Sequence, residues 1–225
     1  MSKNDEEIVN ENCGSVLVVA PHADDEVLGC GGAIQDHVRR GQKVYVQIVS
    51  NRIIDHNVDT NYIAETKKIA EGVADLMGVE CVFYSDCLDE QLDHLLIDII
   101  RPIEEVIEIC NPDLVYAPSI DDSDQDHRAV ANACTVACRG IDQLRTYEIV
   151  GASRHFAPQI YLDIEPYFET KMAAMKKYAG ELRAYPNPRS LRGLEIHARM
   201  RGLEAGLSMA EGYKVQKHVV RPWGR

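Results

Sequence analysis

Apolar segments suited to buried strands alternate four times with segments of helical apolar spacing, and this alternation constrains the fold more than any other sequence feature. Residues 15–20 are rich in valine, as is typical of a strand buried on both faces. After a polar loop, apolar residues recur at helical spacing from Val27 to Val38. Further strands are predicted at residues 43–50, 80–84 and 113–118, and further helices at 62–77, within 92–110 and at 127–139. The sequence therefore predicts an α/β fold, a Rossmann-like three-layer domain with a mostly parallel sheet and helices on both faces.

Beyond residue 140 the order of elements changes. Strands are predicted at residues 144–150, 159–163 and 213–220, and two longer helices at 165–181 and 190–211. No repeat, low-complexity tract or linker interrupts the sequence. We therefore expect a single domain over residues 1–225, with a poorly ordered N-terminus at residues 1–13.

The charge balance narrows the partners that the protein can have. Asp and Glu number 36 against 24 Lys and Arg, which gives a formal net charge of -12. An acidic surface repels polyphosphates and anionic lipids, so nucleic acid and membranes are not expected as partners and a small molecule is favoured. The N-terminal residues contain no apolar signal segment, and no apolar run approaches the ~20 residues that span a bilayer. We expect a cytoplasmic protein, and homo-oligomer formation stays open.

The seven cysteines form no recognisable metal or redox motif. No pair has C-x-x-C spacing, and the odd number fits reduced thiols. Cys134 and Cys138 lie four residues apart and could be metal ligands, but they share an apolar helix stripe with Val130. Packing in the core is therefore the prediction for both.

Two polar loops, each directly after a predicted strand, carry the residues suited to chemistry. His22, Asp24 and Asp25 follow the first strand, and an acidic run that ends at His127 follows the fourth. Ligands bind doubly wound sheets at the carboxyl ends of strands where the strand order reverses, so the loops meet if strands one and four are neighbours. Imidazole and carboxylate groups suit zinc, and a catalytic zinc keeps three protein ligands and one open position. His22, Asp25 and His127 could supply these ligands, which would leave Asp24 as a base.

Purely structural roles compete with this interpretation. Asp24, Asp25, Asp124 and Asp126 stand where helix N-caps are expected, and aspartate is favoured there for structural reasons. Capping does not account for two histidines in the same two loops. The combination of histidines and aspartates therefore favours a metal site.

Two neighbouring features are predicted to be structural. The glycine-rich stretch at residues 29–32 lacks the lysine of a phosphate-binding loop, which favours close packing of a helix on the sheet. Asp121 and Asp122 are interpreted as solvated loop charges. Neither feature is expected to take part in chemistry.

The stretch V-V-A-P-H-A-D-D-E-V-L-G-C-G-G at residues 18–32 resembles the signature of the PIG-L/LmbE family of zinc-dependent N-deacetylases. The second element of that family, His-x-Asp-His followed by Arg-Ala-Val, is similar to D-Q-D-H-R-A-V at residues 124–130. The resemblance implies that His22, Asp25 and His127 hold one zinc ion per chain, with another divalent transition metal as the alternative. It also implies that Asp24 is the general base.

The resemblance further suggests which residues bind the substrate. Asp89 lies in a segment similar to one whose aspartate contacts the sugar in the family. The first histidine of the second motif is Asp124 here, so the oxyanion or proton-shuttling role of that histidine is not carried over. His155 is the candidate replacement, and Asp124 and Asp126 are also counted among the predicted substrate-binding residues. Arg189 is added because the start of a long predicted helix could reach the substrate, although an ordinary helix start is the simpler interpretation.

By this resemblance the protein is expected to be a hydrolase that removes an N-acetyl group from an amino sugar or glycoconjugate of the N-acetylglucosamine type. A metal-dependent amidase acting on another small conjugate, or a phosphoesterase, would use similar ligands, although a phosphoesterase more often needs two metals. A chain with Asp124 could also retain the fold only to bind a glycan or a partner. These alternatives stay open at the level of sequence.

Overall fold

A seven-stranded sheet organises the fold, which a computed structural model describes for residues 14–51, 60–94 and 96–220. The strands are β1 (Ser15–Ala20), β2 (Lys43–Asn51), β3 (Cys81–Leu88), β4 (Leu114–Pro118), β5 (Gln143–Tyr147), β6 (Ile160–Asp163) and β7 (Ala210–His218). The α-helices are α1 (Asp25–Arg39), α2 (Thr60–Met77), α3 (Ile97–Cys110), α4 (Gln125–Ala137), α5 (Phe168–Lys177) and α6 (Leu191–Ala205). The predicted disorder of residues 1–13 lies outside the described residues.

The strand order β3-β2-β1-β4-β5-β7-β6 confirms the predicted α/β fold with a mostly parallel sheet. Strands β1 to β5 pair in parallel, whereas β7 runs antiparallel to both β5 and β6. The order reverses at β1, which pairs with β2 on one side and with β4 on the other. The loops that follow β1 and β4 therefore leave the same edge of the sheet side by side.

Each face of the sheet carries its own apolar core, because successive side chains of a strand point to opposite faces. Val16 and Val18 of β1 pack with buried residues of α1, α2 and α5. Leu17 and Val19 pack on the other face with buried residues of α3 and α4. Cys134 and Cys138 belong to this second core and are 0% and 1% exposed, which confirms the core packing predicted for them.

The helix predicted at residues 190–211 was wrong over its last six residues, 206–211. Helix α6 ends at Ala205, where Gly206 takes a left-handed conformation with φ 72 that terminates the helix, and Glu211 lies in β7. The helix predicted at residues 165–181 is also shorter. A 3-10 turn at Glu165–Tyr167 precedes α5, which ends at Lys177.

Other boundaries differ by a few residues. Pro102 lies inside α3, and β3 extends to Leu88 instead of ending at residue 84. Strand β5 ends at Tyr147 instead of residue 150. Within the described ranges, no helix has both the length and the apolar character needed to cross a membrane.

Helix α1 packs very closely against its neighbours. A Cβ atom at Gly29 would lie 2.1 Å from the ring of Tyr147, and one at Gly32 would lie 2.2 Å from the side chain of Ile164. Neither position has room for a larger residue unless the neighbour shifts. The close packing predicted for residues 29–32 is therefore confirmed.

Strand β7 supplies a buried carboxylate to the same helix. Glu211 accepts hydrogen bonds from the backbone N–H groups of Gly32 and Ala33 at 2.7 and 2.9 Å. The ammonium of Lys171, from α5, donates to Glu211 at 2.6 Å and to the carbonyl of Leu28 at 2.9 Å. Both charged side chains are buried, at 6% and 5% exposure. Strand β7 and helix α5 thus hold α1 from the side, at the middle of the helix and at Leu28 in its first turn.

Candidate active site

The loops after β1 and β4 meet at the sheet edge, as their positions in the sequence predict. The first loop makes a tight turn in which the backbone N–H of His22 donates to Asp25 Oδ2 at 3.0 Å. Asp24, between them, has a φ of 133, which is rare for a residue other than glycine. The second loop ends at Asp124, which caps α4 by accepting the N–H of Asp126 at 2.9 Å. The turn of the first loop brings the side chains of His22, Asp24 and Asp25 together at the start of α1.

His22, Asp25 and His127 place three ligand-type atoms around one point. Asp25 Oδ2 lies 3.2 Å from both His22 Nδ1 and His127 Nε2, and the two nitrogens are 3.3 Å apart. Two imidazole nitrogens and one carboxylate oxygen within 4.8 Å of one another form the donor set of a mononuclear transition-metal site. The three residues therefore fit a divalent cation such as zinc.

The carboxylates around both imidazoles set their charge. Burial alone lowers the pKa of His127, but Asp25 and Asp122 outweigh it and raise this pKa to about 10. Burial is likewise outweighed at His22, where three carboxylates, led by Asp126, raise the pKa well above its usual value. Burial raises the pKa of Asp25, but the two histidines hold it well below its usual range. Metal binding would displace protons from both rings, since a ligating imidazole is neutral.

Asp122 is buried behind His127, so its interpretation as a solvated charge was wrong. The side chain of His127 places Nδ1 3.1 Å from Asp122 Oδ2, which also accepts the hydroxyl of Ser153 at 2.9 Å. The other oxygen of Asp122 accepts the N–H of Asp124 at 2.9 Å. A carboxylate against the far nitrogen orients the ring and favours the tautomer that leaves Nε2 as a ligand. Asp121, in contrast, has a side chain that is 36% exposed.

Replacing Asp122 by asparagine is expected to weaken zinc binding by about 10–100-fold, because the neutral amide supports the ligating ring less well. The dissociation constant is measured by competition with a chromophoric chelator. Asp121→Asn is the matched control, since it removes a neighbouring charge that pairs with Lys214 at the surface. Equal zinc affinities in the two variants would show that Asp122 does not support His127.

The Nε2 atom of His22 faces a second pair of carboxylates. Asp89 Oδ1 lies 2.9 Å from this nitrogen and Asp126 Oδ2 lies 3.5 Å from it. Asp126 also accepts the N–H groups of Glu90 and Leu92, at 2.7 and 3.4 Å, which ties this segment to α4. His22, Asp89 and Asp126 form a second group with metal-ligand spacing, which shares its histidine with the first group. Carboxylates that accept the Nε2 proton favour the tautomer that leaves Nδ1 for the first group.

Asp24 lies in the site with neither carboxylate oxygen hydrogen-bonded to any described residue. Its side chain is 1% exposed. Burial raises its pKa, the charge of Asp25 raises it further, and Arg189 lowers it, so that the pKa lies well above its usual value. A carboxyl group with a raised pKa and no structural bond to satisfy has the properties of a general base.

Glu26 supports the unusual backbone of Asp24, although no sequence pattern singles it out. Its Oε2 accepts the N–H of Asp24 at 3.0 Å and its Oε1 accepts the hydroxyl of Tyr178 at 2.7 Å. Burial raises the pKa of Glu26 to about 7, although the bond from Tyr178 opposes the rise. A glutamate is common in the first turn of a helix because its charge is favourable at the positive end of the helix dipole. The sequence therefore does not indicate that Glu26 has this additional role.

A polar cavity of about 500 Å³ lies over these residues. The residues that line it are His22, Asp24, Asp89, Glu90, Asp124, Gln125, Asp126 and Arg189. The cavity thus brings together four of the five predicted substrate-binding residues. His155 is exposed and is not part of this lining, so its role stays a prediction without support from the geometry. The guanidinium of Arg189 lies 3.7 Å from Asp25 Oδ1.

Known proteins resemble this chain in sequence and in fold. The profile of the family described as GlcNAc-PI de-N-acetylase (PIG-L) matches residues 17–138, which include both loops. The chain is 30% identical over 169 residues to the uncharacterized deacetylase YaiS of Escherichia coli K12, a match that covers 72% of this chain and 89% of that protein.

Two solved structures share the fold. The conserved protein TT1542 of Thermus thermophilus has a TM-score of 0.78 at 21% identity, with 94% of this chain and 99% of that chain covered. The N,N'-diacetylchitobiose deacetylase of Pyrococcus horikoshii has a TM-score of 0.78 at 18% identity, with 97% and 93% covered. Both matches cover nearly the whole of each chain.

Proposed function

Because this chain belongs to the GlcNAc-PI de-N-acetylase (PIG-L) family, we propose that it is a zinc-dependent hydrolase that removes an N-acetyl group from an amino sugar or glycoconjugate of the N-acetylglucosamine type. The observation that carries the proposal is the joint position of His22, Asp25 and His127 around one point, with the carboxylate of Asp24 in the same site. The structural relative from Pyrococcus horikoshii is an N,N'-diacetylchitobiose deacetylase, which supports an N-acetylated amino sugar as substrate class.

In this proposal three residues hold a cation and a fourth, Asp24, moves a proton. His22, Asp25 and His127 would hold zinc, which supplies Lewis-acid polarisation of the amide carbonyl and lowers the pKa of water. Asp24 accepts the proton of the water that attacks the carbonyl carbon and returns it to the amine nitrogen as the C–N bond breaks. Arg189 donates hydrogen bonds to the substrate from the cavity wall. Acetate and a free amine result.

Metal analysis combined with an acetate-release assay tests the proposal. We expect about one zinc ion per chain and equal amounts of acetate and amine from N-acetylglucosamine. A chelator should abolish turnover, and added zinc should restore it. Restoration by iron or cobalt alone would correct only the metal identity.

Three other outcomes would contradict the proposal. Full turnover in the chelated enzyme would exclude a metal-dependent reaction. Bound zinc without release of amine would favour a glycan-binding role. Release of phosphate from a phosphate ester would favour the phosphoesterase alternative.

A further inference from the structure

Asp24, the proposed base, is held in place through its backbone. Neither oxygen of its carboxylate is hydrogen-bonded to any described residue. Its φ of 133 is unfavourable for a residue other than glycine, and such a conformation persists only where the surrounding structure enforces it. The direction in which the carboxylate points therefore depends on the groups that bind the main chain of Asp24.

The two backbone groups of Asp24 are bound in different ways. Its carbonyl accepts the N–H groups of Val27 and Leu28, at 3.1 and 2.9 Å. These bonds belong to the first turn of α1, and the residue before any helix accepts bonds of this kind. The N–H of Asp24 instead donates to the side chain of Glu26, at 3.0 Å. Glu26 thus supplies a contact that a helix start does not supply by itself.

The hydroxyl of Tyr178 fixes Glu26 in turn. It donates to Glu26 Oε1 at 2.7 Å, while Glu26 Oε2 accepts the N–H of Asp24. Tyr178 directly follows the last residue of α5, and both Tyr178 and Glu26 are 3% exposed. One oxygen of the carboxylate is therefore bound by the end of α5 and the other by the first polar loop.

Packing does not account for a carboxylate at residue 26. Beside Glu26 lies a cavity of about 10 Å³ whose other lining residues are all apolar. A buried charge costs free energy in such surroundings. A carboxylate, however, accepts the two hydrogen bonds through separate oxygens, which an amide cannot do. A charge retained at this cost is typical of a functional region rather than of a core position.

We propose that Glu26 and Tyr178 are positioning residues for the reaction, which together hold the backbone of Asp24 so that its carboxylate faces the substrate amide. This inference rests on the proposed function and adds two residues to it. Neither residue lines the cavity or belongs to the His22–Asp25–His127 group, so both act through Asp24. A displacement of a reacting group by about 1 Å can cost about 10²-fold in rate.

Variants of Glu26 should change kcat rather than KM. For the zinc-loaded Glu26→Leu enzyme acting on N-acetylglucosamine, we expect kcat to fall about 100-fold, with KM and zinc content unchanged. Glu26→Gln should stay within about fivefold of the wild type, because its amide oxygen can accept the N–H of Asp24 while its NH₂ group donates to the tyrosine hydroxyl. In an Asp24→Asn background, Glu26→Leu should change kcat by less than about twofold, since the base through which Glu26 acts is then absent.

Two buried tyrosines provide a matched pair of variants. Tyr178→Phe removes the hydroxyl that holds Glu26 and should lower kcat about tenfold. Tyr213→Phe removes a hydroxyl that donates to Glu211 Oε2 at 2.6 Å, and Tyr213 is likewise buried, at 1% exposure. This control should leave kcat unchanged, because Glu211 binds the middle of α1 rather than the first polar loop. Equal effects on kcat would overturn the inference, and this comparison decides even if Glu26→Leu does not fold.

Hydrogen exchange separates failure of this inference from failure of the proposed function. If the wild type releases no acetate from N-acetyl sugars, the proposed function is wrong. The contact itself is then still tested: exchange of the Asp24 amide, relative to that of Ile34 in the same helix, should be about tenfold faster in Glu26→Leu. Unchanged relative exchange would show that Glu26 does not hold Asp24.

If the wild type does release acetate, the kinetics decide. A wild-type kcat in Glu26→Leu, or a loss of its zinc, would overturn the positioning role while the deacetylase activity stands. A further 100-fold loss in the Asp24→Asn background would do the same, because Glu26 would then act on something other than the base.

Discussion

Replacing Asp24 by asparagine is expected to lower kcat/KM for an N-acetyl sugar by ~10²–10⁴-fold while the zinc content stays unchanged. Asparagine has the shape of aspartate but cannot take the proton of the attacking water. It also tolerates a positive φ better than most residues, which matters at φ 133. The oxygens of Asp24 are not part of the His22–Asp25–His127 group, so that group does not depend on them.

Steady-state kinetics and metal analysis on the same preparation check this result. His127→Ala is the contrasting variant, because it removes a ligand-type nitrogen and should lose zinc and turnover together. An Asp24→Asn enzyme that works near the wild-type rate would show that another group is the base. Loss of zinc from that variant would instead place Asp24 among the ligands.

Asp24→Asn should leave the free energy of unfolding unchanged or raise it. Burial and the charge of Asp25 raise the pKa of Asp24 in the folded protein, so its charged form is disfavoured there relative to the unfolded chain. Above the ordinary pKa of aspartate, ionisation of Asp24 therefore costs folding free energy, and asparagine removes this cost. A buried carboxylate retained at the expense of stability is typical of an active-site group rather than of a packing residue.

The elements around β1 could be predicted because local patterns determine them. The valine-rich run at residues 15–20 is too apolar to face water, and the spacing from Val27 to Val38 has the period of a helix. The end of α6 could not be predicted in the same way. Leu203 and Leu207 continue a helical spacing across Gly206, and only the left-handed conformation of that glycine ends the helix.

In the candidate site, too, only the features that local sequence determines could be predicted. His22 and His127 could be placed near each other because polar loops after neighbouring parallel strands meet, whereas their roles as metal ligands stay predictions. Asp122 could not be distinguished from a solvated loop charge, because its burial depends on how the chain folds around Ser153. Glu211 contacts Gly32, 179 positions away, and no local pattern encodes a contact at that separation.

Glu211→Gln is expected to lower the free energy of unfolding by about 3–5 kcal/mol, because it leaves the buried ammonium of Lys171 without its counter-charge. The new amide must also place its NH₂ group either at the position of Oε1, against Lys171 and the N–H of Gly32, or at the position of Oε2, against the N–H of Ala33 and the hydroxyl of Tyr213. Several charge-assisted hydrogen bonds at 2.6–2.9 Å are therefore weakened at once. Because α1 begins at Asp25, the loss also loosens the helix that carries the first polar loop.

Urea denaturation of the metal-free protein measures the effect of Glu211→Gln apart from zinc binding. Glu195→Gln is the matched control, since it breaks an exposed ion pair with Arg199 and should cost less than ~0.5 kcal/mol. A double-mutant cycle with Lys171→Met isolates the pair: the loss in the double variant should fall short of the sum of the single losses by about 1–3 kcal/mol, because the lysine that Glu211→Gln leaves unpaired is then absent. A loss below ~1 kcal/mol for Glu211→Gln would show that the buried pair does not hold α1 against β7 and α5, since a paired buried charge costs more than that to expose.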